Sequence, residues 1–542
     1  MSKAAHAARF APLYIVGQGA EVALLDPEVA GSKAAMIAQM ARLGLRTPPA
    51  FVTSTALCAP LNRGEAAAEA ALAEGLKAGI RRLEQASGRR FGDTRRPLLV
   101  SVRSGAARSM PGMLSTVLDV GLNAETVRGL IRLTGNPRMA WDSYRRFIQG
   151  YAEIVGDAPA APFEAALNAM IRAEQAESET ELDPEALERL SRAMAAIAAA
   201  HKGAAAPFDP MAQLQAAALA VYRSWTSPRA EEYRRLNHLE DLAGTAVTVQ
   251  AMAFGNSGGD SGAGVAFSRS PATGEKGLYV DYLADAQGED VVSGRRTPGD
   301  ADSLRRRAPA VYRALCAGAE RLERQLKDVQ DIEFTVEGGE LYFLQTRSAK
   351  RTPRAVLKTA VDLAREGLIS PAEALARVEG VDLDRAGVVR FVGTAEPAAH
   401  AIPASSGVAS GRAAFDVEAA RRLTEQGEPA ILVRRDISTD DVAGFALAEG
   451  VLTAIGGRTA HAAVVARQLG KTCLVGCRDL TIDEAAGARL GETALKTGDW
   501  LSLDGVTGEV FLGRREIIVE RPEAEIAEIE RWRTAANQSA NG

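Results

Sequence analysis

Cysteine is scarce in this sequence, with only Cys58, Cys316, Cys473 and Cys477 among 542 residues. That excludes a disulfide framework. Cys473 and Cys477 could form half a metal site, but no second Cys/His pair lies near, and two small buried thiols in a reduced compartment are expected. No apolar run is long enough to cross a membrane. The N-terminal MSKAAHAARF is basic and lacks acids, as a targeting segment would. It is short and leads straight into the strand-like LYIVG, so a ragged start and a cytoplasmic chain are expected. A dominant charge is also missing. Lys+Arg total 64 against 69 Asp+Glu, a net charge of -5, which argues against nucleic acid as the main partner. A small anion held by a few local cations remains compatible with it. The sequence shows no repeat of fixed period, no complete dinucleotide fingerprint and no complete Walker loop. Gly470-Lys471-Thr472 ends like a Walker loop, but Val465 stands where the first glycine belongs.

The length predicts three or four domains, and 46% hydrophobic residues suffice for real cores. Tyr14-Ile15-Val16 reads as a short strand, and Ser32 to Leu43 as an amphipathic helix. LLVSVR, residues 98–103, is an apolar strand ending in a Gly/Ser/Pro loop. Residues 124–205 are helical, with AIAAAHKGAAAP as a low-complexity hinge at their end. Strand signals return over 244–283. Asp331–Thr335 and Leu341–Gln345 form a hairpin across Glu-Gly-Gly. Residues 350–395 read as a helical linker, the segment beyond Pro403 as short apolar strands, and the tail from Pro522 as one amphipathic helix with Ile526, Ile529 and Trp532.

Four constellations could carry chemistry. In Gly456-Gly457-Arg458-Thr459-Ala460-His461, a strand runs into two glycines and a helix begins at the histidine. Free N–H groups and the positive end of the helix dipole favour an anion there, so a phosphate on the imidazole would be stabilised; Arg458 and Thr459 would add donors. Simple capping or packing is the plainer alternative for His461. In SVRSGAARSMPGMLST, residues 101–116, Arg103 leaves a strand into a small-residue loop that lets backbone N–H groups approach phosphates, or that is an ordinary strand-to-helix loop. GNSGGDSGAG, residues 255–264, is either a hairpin over a triphosphate or a surface loop. Finally, alternation puts Asp331 with Glu333, and Gln345 with Arg347, on shared faces of the hairpin. That set suits Mg²⁺ bridging phosphates, and a solvated polar face is the alternative.

Together these segments resemble one family. GSKAAMIAQMARLG, LLVSVRSGAARSMPGMLSTVLDVGLN, AGTAVTVQAMAFGNSGGDSGAGVAFSRSPATGEK, AQGEDVVSGRRTP, VQDIEFTVEGGELYFLQTRSAKRT and GVLTAIGGRTAHAAVVARQLGK occur in the order of pyruvate, phosphate dikinases and cover nearly the whole chain. Phosphoenolpyruvate synthase and enzyme I of the sugar phosphotransferase system share the histidine segment, but the nucleotide-site segments fit the dikinases better.

The resemblance implies a multidomain α/β and α+β fold. Its parts would be an ATP-grasp domain over 1–349 with a helical insertion at about 124–205, a helical linker over 350–395, a swivelling β/β/α phosphohistidine domain over 396–515, and a helical tail over 516–542. It implies ATP and Mg²⁺ as cofactors. Lys33 and Arg103 would hold phosphates, and Glu289 would lie at the nucleotide end. Asp331, Glu333 and Gln345 would serve Mg²⁺, with Arg347 beside them, and His461 would carry the phosphoryl group. Thr459 resembles a regulatory threonine that a separate kinase modifies. In the family the pyrophosphoryl unit moves to the histidine, AMP departs, and inorganic phosphate removes the γ group. The expected acceptor is pyruvate or another small molecule, as in the related phenylphosphate synthase and rifampicin phosphotransferase groups. A non-catalytic ATP-sensing module is the reading from a different class.

Two departures stand out. Ala460 replaces the serine usual before the dikinase histidine. The family's (β/α)₈ acceptor barrel needs about 200 residues, and only Glu516 to Gly542 follow Arg515. A separate chain carrying the acceptor domain, or a shortened sequence, is therefore expected.

Overall fold

The computed structural model describes residues 12–15, 19, 21–108, 110, 113–292, 296–381, 387–436, 442–457, 461–483 and 487–540. It is a mixed α/β chain that divides into two compact units. One comprises residues 1–259 with 342–346, the other 260–341 with 347–542. The division falls inside the 1–349 span read from the sequence.

Many of the helices start the same way. Asp26-Pro27, Asn136-Pro137, Asp183-Pro184, Asp209-Pro210, Thr352-Pro353 and Ser370-Pro371 each place a capping side chain before a proline at the first helical position. The side chain accepts from an N–H that the helix leaves unpaired, and proline has no N–H to waste there.

In the first unit, an antiparallel sheet runs in the order Leu13–Ile15, Ala50–Thr53, Thr245–Ala251, Val100–Ala106, Thr116–Val120. Its central strand, Thr245–Ala251, is buried along its whole length. Helices cover the sheet, and the helical stretch does not end at 205. Pro210–Arg223 and Pro228–Leu236 continue it, and Leu214, Ala217, Ala218 and Val221 are fully buried in the same core as Val100 and Val102. The alanine run is not a hinge. Ala195 to Ala200 complete the helix Pro184–Ala200, and Ala204 is buried so closely that a Cβ on Gly156 would lie 2.3 Å from its Cα. Small side chains there permit close approach of two segments rather than freedom.

In the second unit, the strands Gln330–Glu337, Gly262–Arg269 and Lys276–Ala284 are antiparallel neighbours. Gly338 and Gly339 take positive φ (56° and 82°) at the turn that follows, as a two-residue hairpin turn requires. An eight-stranded sheet lies further along the chain. Val408–Ala414, Ala430–Arg434, Gly450–Thr453 and Thr472–Val475 run parallel in its centre. Helix His461–Leu469 crosses from the third of these to the fourth and buries Ala462, Ala463 and Ala466 against it.

The linker region is tied down at its start. Arg269, fully buried, donates to Glu323 and Glu366, the latter just past helix Pro353–Arg365. Arg351 pairs with Asp328 at 2.9 Å. The tail helix Glu523–Ala540 packs on the same region, burying Ile526 and Ile529 against Leu357, Val361 and Ile369. Its apolar face is thus consumed within the chain. Entry to and exit from the eight-stranded region pair as a two-stranded ribbon, Val388–Phe391 with Ile517–Glu520.

Removing one partner from a buried ion network leaves a charge unmatched. Arg269→Ala is expected to cost about 3–5 kcal/mol, read as a lowered thermal transition at neutral pH. Burial pushes the Glu366 carboxyl up, but hydrogen bonds from Arg269 and Lys276 outweigh this and hold it below the usual range. That stabilisation is full above the ordinary glutamate pKa and is lost as pH falls through the lowered one. The gap between wild type and variant should therefore narrow below about pH 4.

Candidate functional site

In the first unit, Lys33 and Arg103 are brought together by glycine. Helix Pro27–Arg42 is broken at Gly31 (φ 76°, ψ 152°) and restarts at Ser32, where the sequence predicts its start. A Cβ on Gly31 would lie 2.0 Å from the Gly105 carbonyl oxygen, and one on Gly105 would lie 3.5 Å from Lys33 Cβ. The Ser32 hydroxyl donates to the Ala106 carbonyl at 2.9 Å. Lys33 thus occupies the first turn of the restarted helix, beside the strand that carries Arg103. Arg103 Nη2 reaches Gln345 Oε1 at 3.5 Å. Two cations at one backbone crossing suit an anionic ligand. In the Gly-rich 255–264 segment, the Asn256 side chain is buried with neither polar atom hydrogen-bonded, a cost that a polar ligand would remove.

In the second unit, strand register collects acids on one face. Glu333, Val265 and Asp281 lie directly opposite one another across the three strands, as do Asp331, Phe267 and Tyr279. Opposed residues share a face, so Asp281, Asp331 and Glu333 project from one side. Asp281 and Asp331 are buried, and for Asp331 this excludes the solvated-face reading. Arg347 Nε donates to Asp331 Oδ2 at 2.8 Å, whereas Asp331 Oδ1 is buried with no hydrogen-bond partner. Burial pushes the Asp331 carboxyl above its usual range despite the Arg347 pair. The short helix Gly288–Val292 packs Val291 into the cluster of Val265 and Phe267 and leaves Glu289 exposed.

The glycine loop and the helix of His461 cover this face. A Cβ on Gly457 would lie 2.9 Å from Asp281 Oδ2. The buried Arg467 guanidinium lies 6.0 Å from the Phe267 ring centroid, donates to the Ala404 carbonyl at 2.7 Å and acts electrostatically on Asp331. Ser406 Oγ donates to the Ala272 carbonyl at 2.8 Å. Gly456 and Gly457 follow the carboxyl end of a parallel strand, the usual place for a ligand in such sheets. Arg458, Thr459 and the side chain of His461 lie outside the described residues.

Asp281, Arg467 and Asn256 were missed by sequence reasoning. Only the Gly-rich loop flagged Asn256, and nothing local marked the other two, whose positions follow from nonlocal pairing. Burial pushes the Cys473 thiol up to about 12 and the Cys477 thiol up to about 11, as expected of inert packing groups. Among the described residues, no group of three or more His, Cys, Asp or Glu is placed to hold a metal, and no helix is long and apolar enough to cross a membrane.

Residues 64–311 match the family described as pyruvate phosphate dikinase, AMP/ATP-binding domain, and residues 426–508 match the PEP-utilising enzyme, mobile domain. The chain thus combines regions similar to each of these two families. It is 44% identical over 489 residues to pyruvate, phosphate dikinase of Clostridium symbiosum, covering 89% of this chain and 56% of that one. It is 44% identical over 495 residues to pyruvate, phosphate dikinase 2 of Zea mays (90% and 56%). To a chloroplastic pyruvate, phosphate dikinase 1 of Arabidopsis thaliana it is 43% identical over 492 residues (90% and 51%). The chain belongs to the pyruvate, phosphate dikinase family. It spans about half the length of the curated relatives it matches.

The Gly31 crossing generates a prediction. Gly31→Ala would force a Cβ into a carbonyl at positive φ, so it should cost at least about 2 kcal/mol. It should also weaken binding of a non-hydrolysable ATP analogue, measured by calorimetry; unchanged binding and stability would contradict the crossing.

Proposed function

We propose that this chain uses ATP to phosphorylate its own His461 and then passes the phosphoryl group to a second acceptor. The observation that best supports this is the acidic face of the second unit, covered by the loop and helix that lead into and out of the histidine. In this reading residues 1–349 form an ATP-grasp domain, 396–515 a swivelling phosphohistidine domain, and the chain works in the cytoplasm.

Lys33 and Arg103 hold the phosphates, and Glu289 lies toward the nucleoside. Arg458, Thr459 and the backbone of Gly456 and Gly457 stabilise the anion that forms on the imidazole. The residues present fit Mg²⁺. Asp331 offers a buried carboxylate oxygen with no hydrogen bond, and Glu333 sits two residues along the same face; Gln345, whose amide oxygen meets Arg103 in the first unit, is the further donor that the resemblance implies. Such hard oxygen donors are what this ion takes alongside phosphates. When bound, Mg²⁺ offsets charge on the transferring group. Arg347 orients Asp331 and offsets part of its charge. His461 attacks the β-phosphorus in line as AMP leaves, and inorganic phosphate then takes the γ group as pyrophosphate, leaving one phosphoryl group on the imidazole. A covalent phosphohistidine splits one transfer into two easier ones and lets a domain move the group between sites. Following the relatives' name, inorganic phosphate and pyruvate are the proposed acceptors. The 350–395 segment is the proposed pivot, with its start fastened by Arg269 and Arg351.

Incubation with β-³²P-ATP should label wild type with an acid-labile, base-stable group, and His461→Asn should take up none. Arg103→Met and Asp331→Asn should each lower the labelling rate by about 10²-fold or more. ATP binding without label in wild type would favour an ATP-sensing module instead.

A further inference from the structure

We propose that Thr297 and Pro298 form the seat that sets the register of the Gly456-Gly457 loop for transfer, and that residue 457 is a positioning residue because it has no side chain. This rests on the phosphohistidine reading, although the seat itself is argued from geometry. A Cβ on Gly457 would lie 2.5 Å from Pro298 Cγ and 2.9 Å from both Pro298 Cδ and Asp281 Oδ2. A Cβ on Gly476, just past the next parallel strand, would lie 2.9 Å from Thr297 Cγ2 and 2.8 Å from the Gly456 carbonyl oxygen. Thr297 and Pro298 therefore meet two glycines from neighbouring strand ends.

The seat is rigid. The N–H of Gly299 donates to the Tyr282 carbonyl and the N–H of Tyr282 donates back to Gly299, both at 2.9 Å. This pair fastens the segment to the strand Lys276–Ala284, and the pyrrolidine ring fixes φ at the buried Pro298. The strand is at the edge of its sheet and carries Asp281, so the seat and the acidic face share one backbone. Contacts this close admit one depth of approach. A methyl group at 457 would hold the loop off the face by a distance comparable with an ångström, and such a displacement costs a transfer on the order of 10²-fold in rate.

The test separates seating from chemistry. Gly457→Ala should reduce the single-turnover rate of His461 labelling on the order of 10²-fold, with KM for ATP changed by less than about twofold. Adding Pro298→Ala removes Cγ, the closest atom in the way, and Cδ, leaving only Asp281 Oδ2 to yield, and should restore at least about tenfold. A second readout needs no activity. Ala272→Cys with Ser406→Cys should be joined as a disulfide by mild copper-phenanthroline oxidation in the otherwise unaltered chain, less in the Gly457→Ala background, and again when Pro298→Ala is added. Labelling and cross-linking unaffected by Gly457→Ala, or lost without recovery on Pro298→Ala, would overturn the seat. An unlabelled wild type that still cross-links in this pattern would leave the seat standing and remove the phosphohistidine reading.

Discussion

Acidic side chains on one face of a sheet are costly unless something positive meets them, and the second unit is built around that constraint. Asp281, Asp331 and Glu333 project from a single side of three antiparallel strands, and the first two are buried. Arg347 answers part of the charge from beside Asp331, and Arg467 another part from the helix of His461. One oxygen of Asp331 is still left without a hydrogen bond. A buried polar atom with no partner is a penalty that folding alone would not retain. Retention makes sense if a cation and an anionic substrate complete the arrangement during turnover.

The same constraint accounts for the position of the histidine helix. A helix start carries partial positive charge, and here it belongs to the element whose Arg467 sits over Phe267 on the acidic face. Two glycines before it let the loop come close to Asp281. Elsewhere the buried Arg269 network and the tail helix make the base of the linker rigid. Rigid ground on one side and a parallel-strand loop on the other are what the proposed swivelling domain would need.

Much of this was legible locally. The restart of the helix at Ser32, the hairpin after Glu337 and the glycine loop before His461 each follow from residues within a few positions of one another. The capping residues before Pro27, Pro137 and Pro184 were there to be read as well. Other features depend on distant pairing. Asp281 joins the acidic face only because Val265 stands between it and Glu333 in register, and no local period encodes that. The alanine run near 200 misled because composition alone cannot tell a flexible segment from one whose small side chains allow tight contact. The helical stretch beyond 205 carried a readable start as well, Asp209 before Pro210.

The central claim is that the acidic face under helix His461–Leu469 is where phosphoryl transfer occurs. A crystal structure of His461→Asn soaked with ATP and Mg²⁺ tests it most directly. The account requires the metal on Asp331 and Glu333 and the terminal phosphates within van der Waals reach of residue 461. A nucleotide whose phosphates lie away from that face, with Asp331 Oδ1 still unbonded, would contradict it.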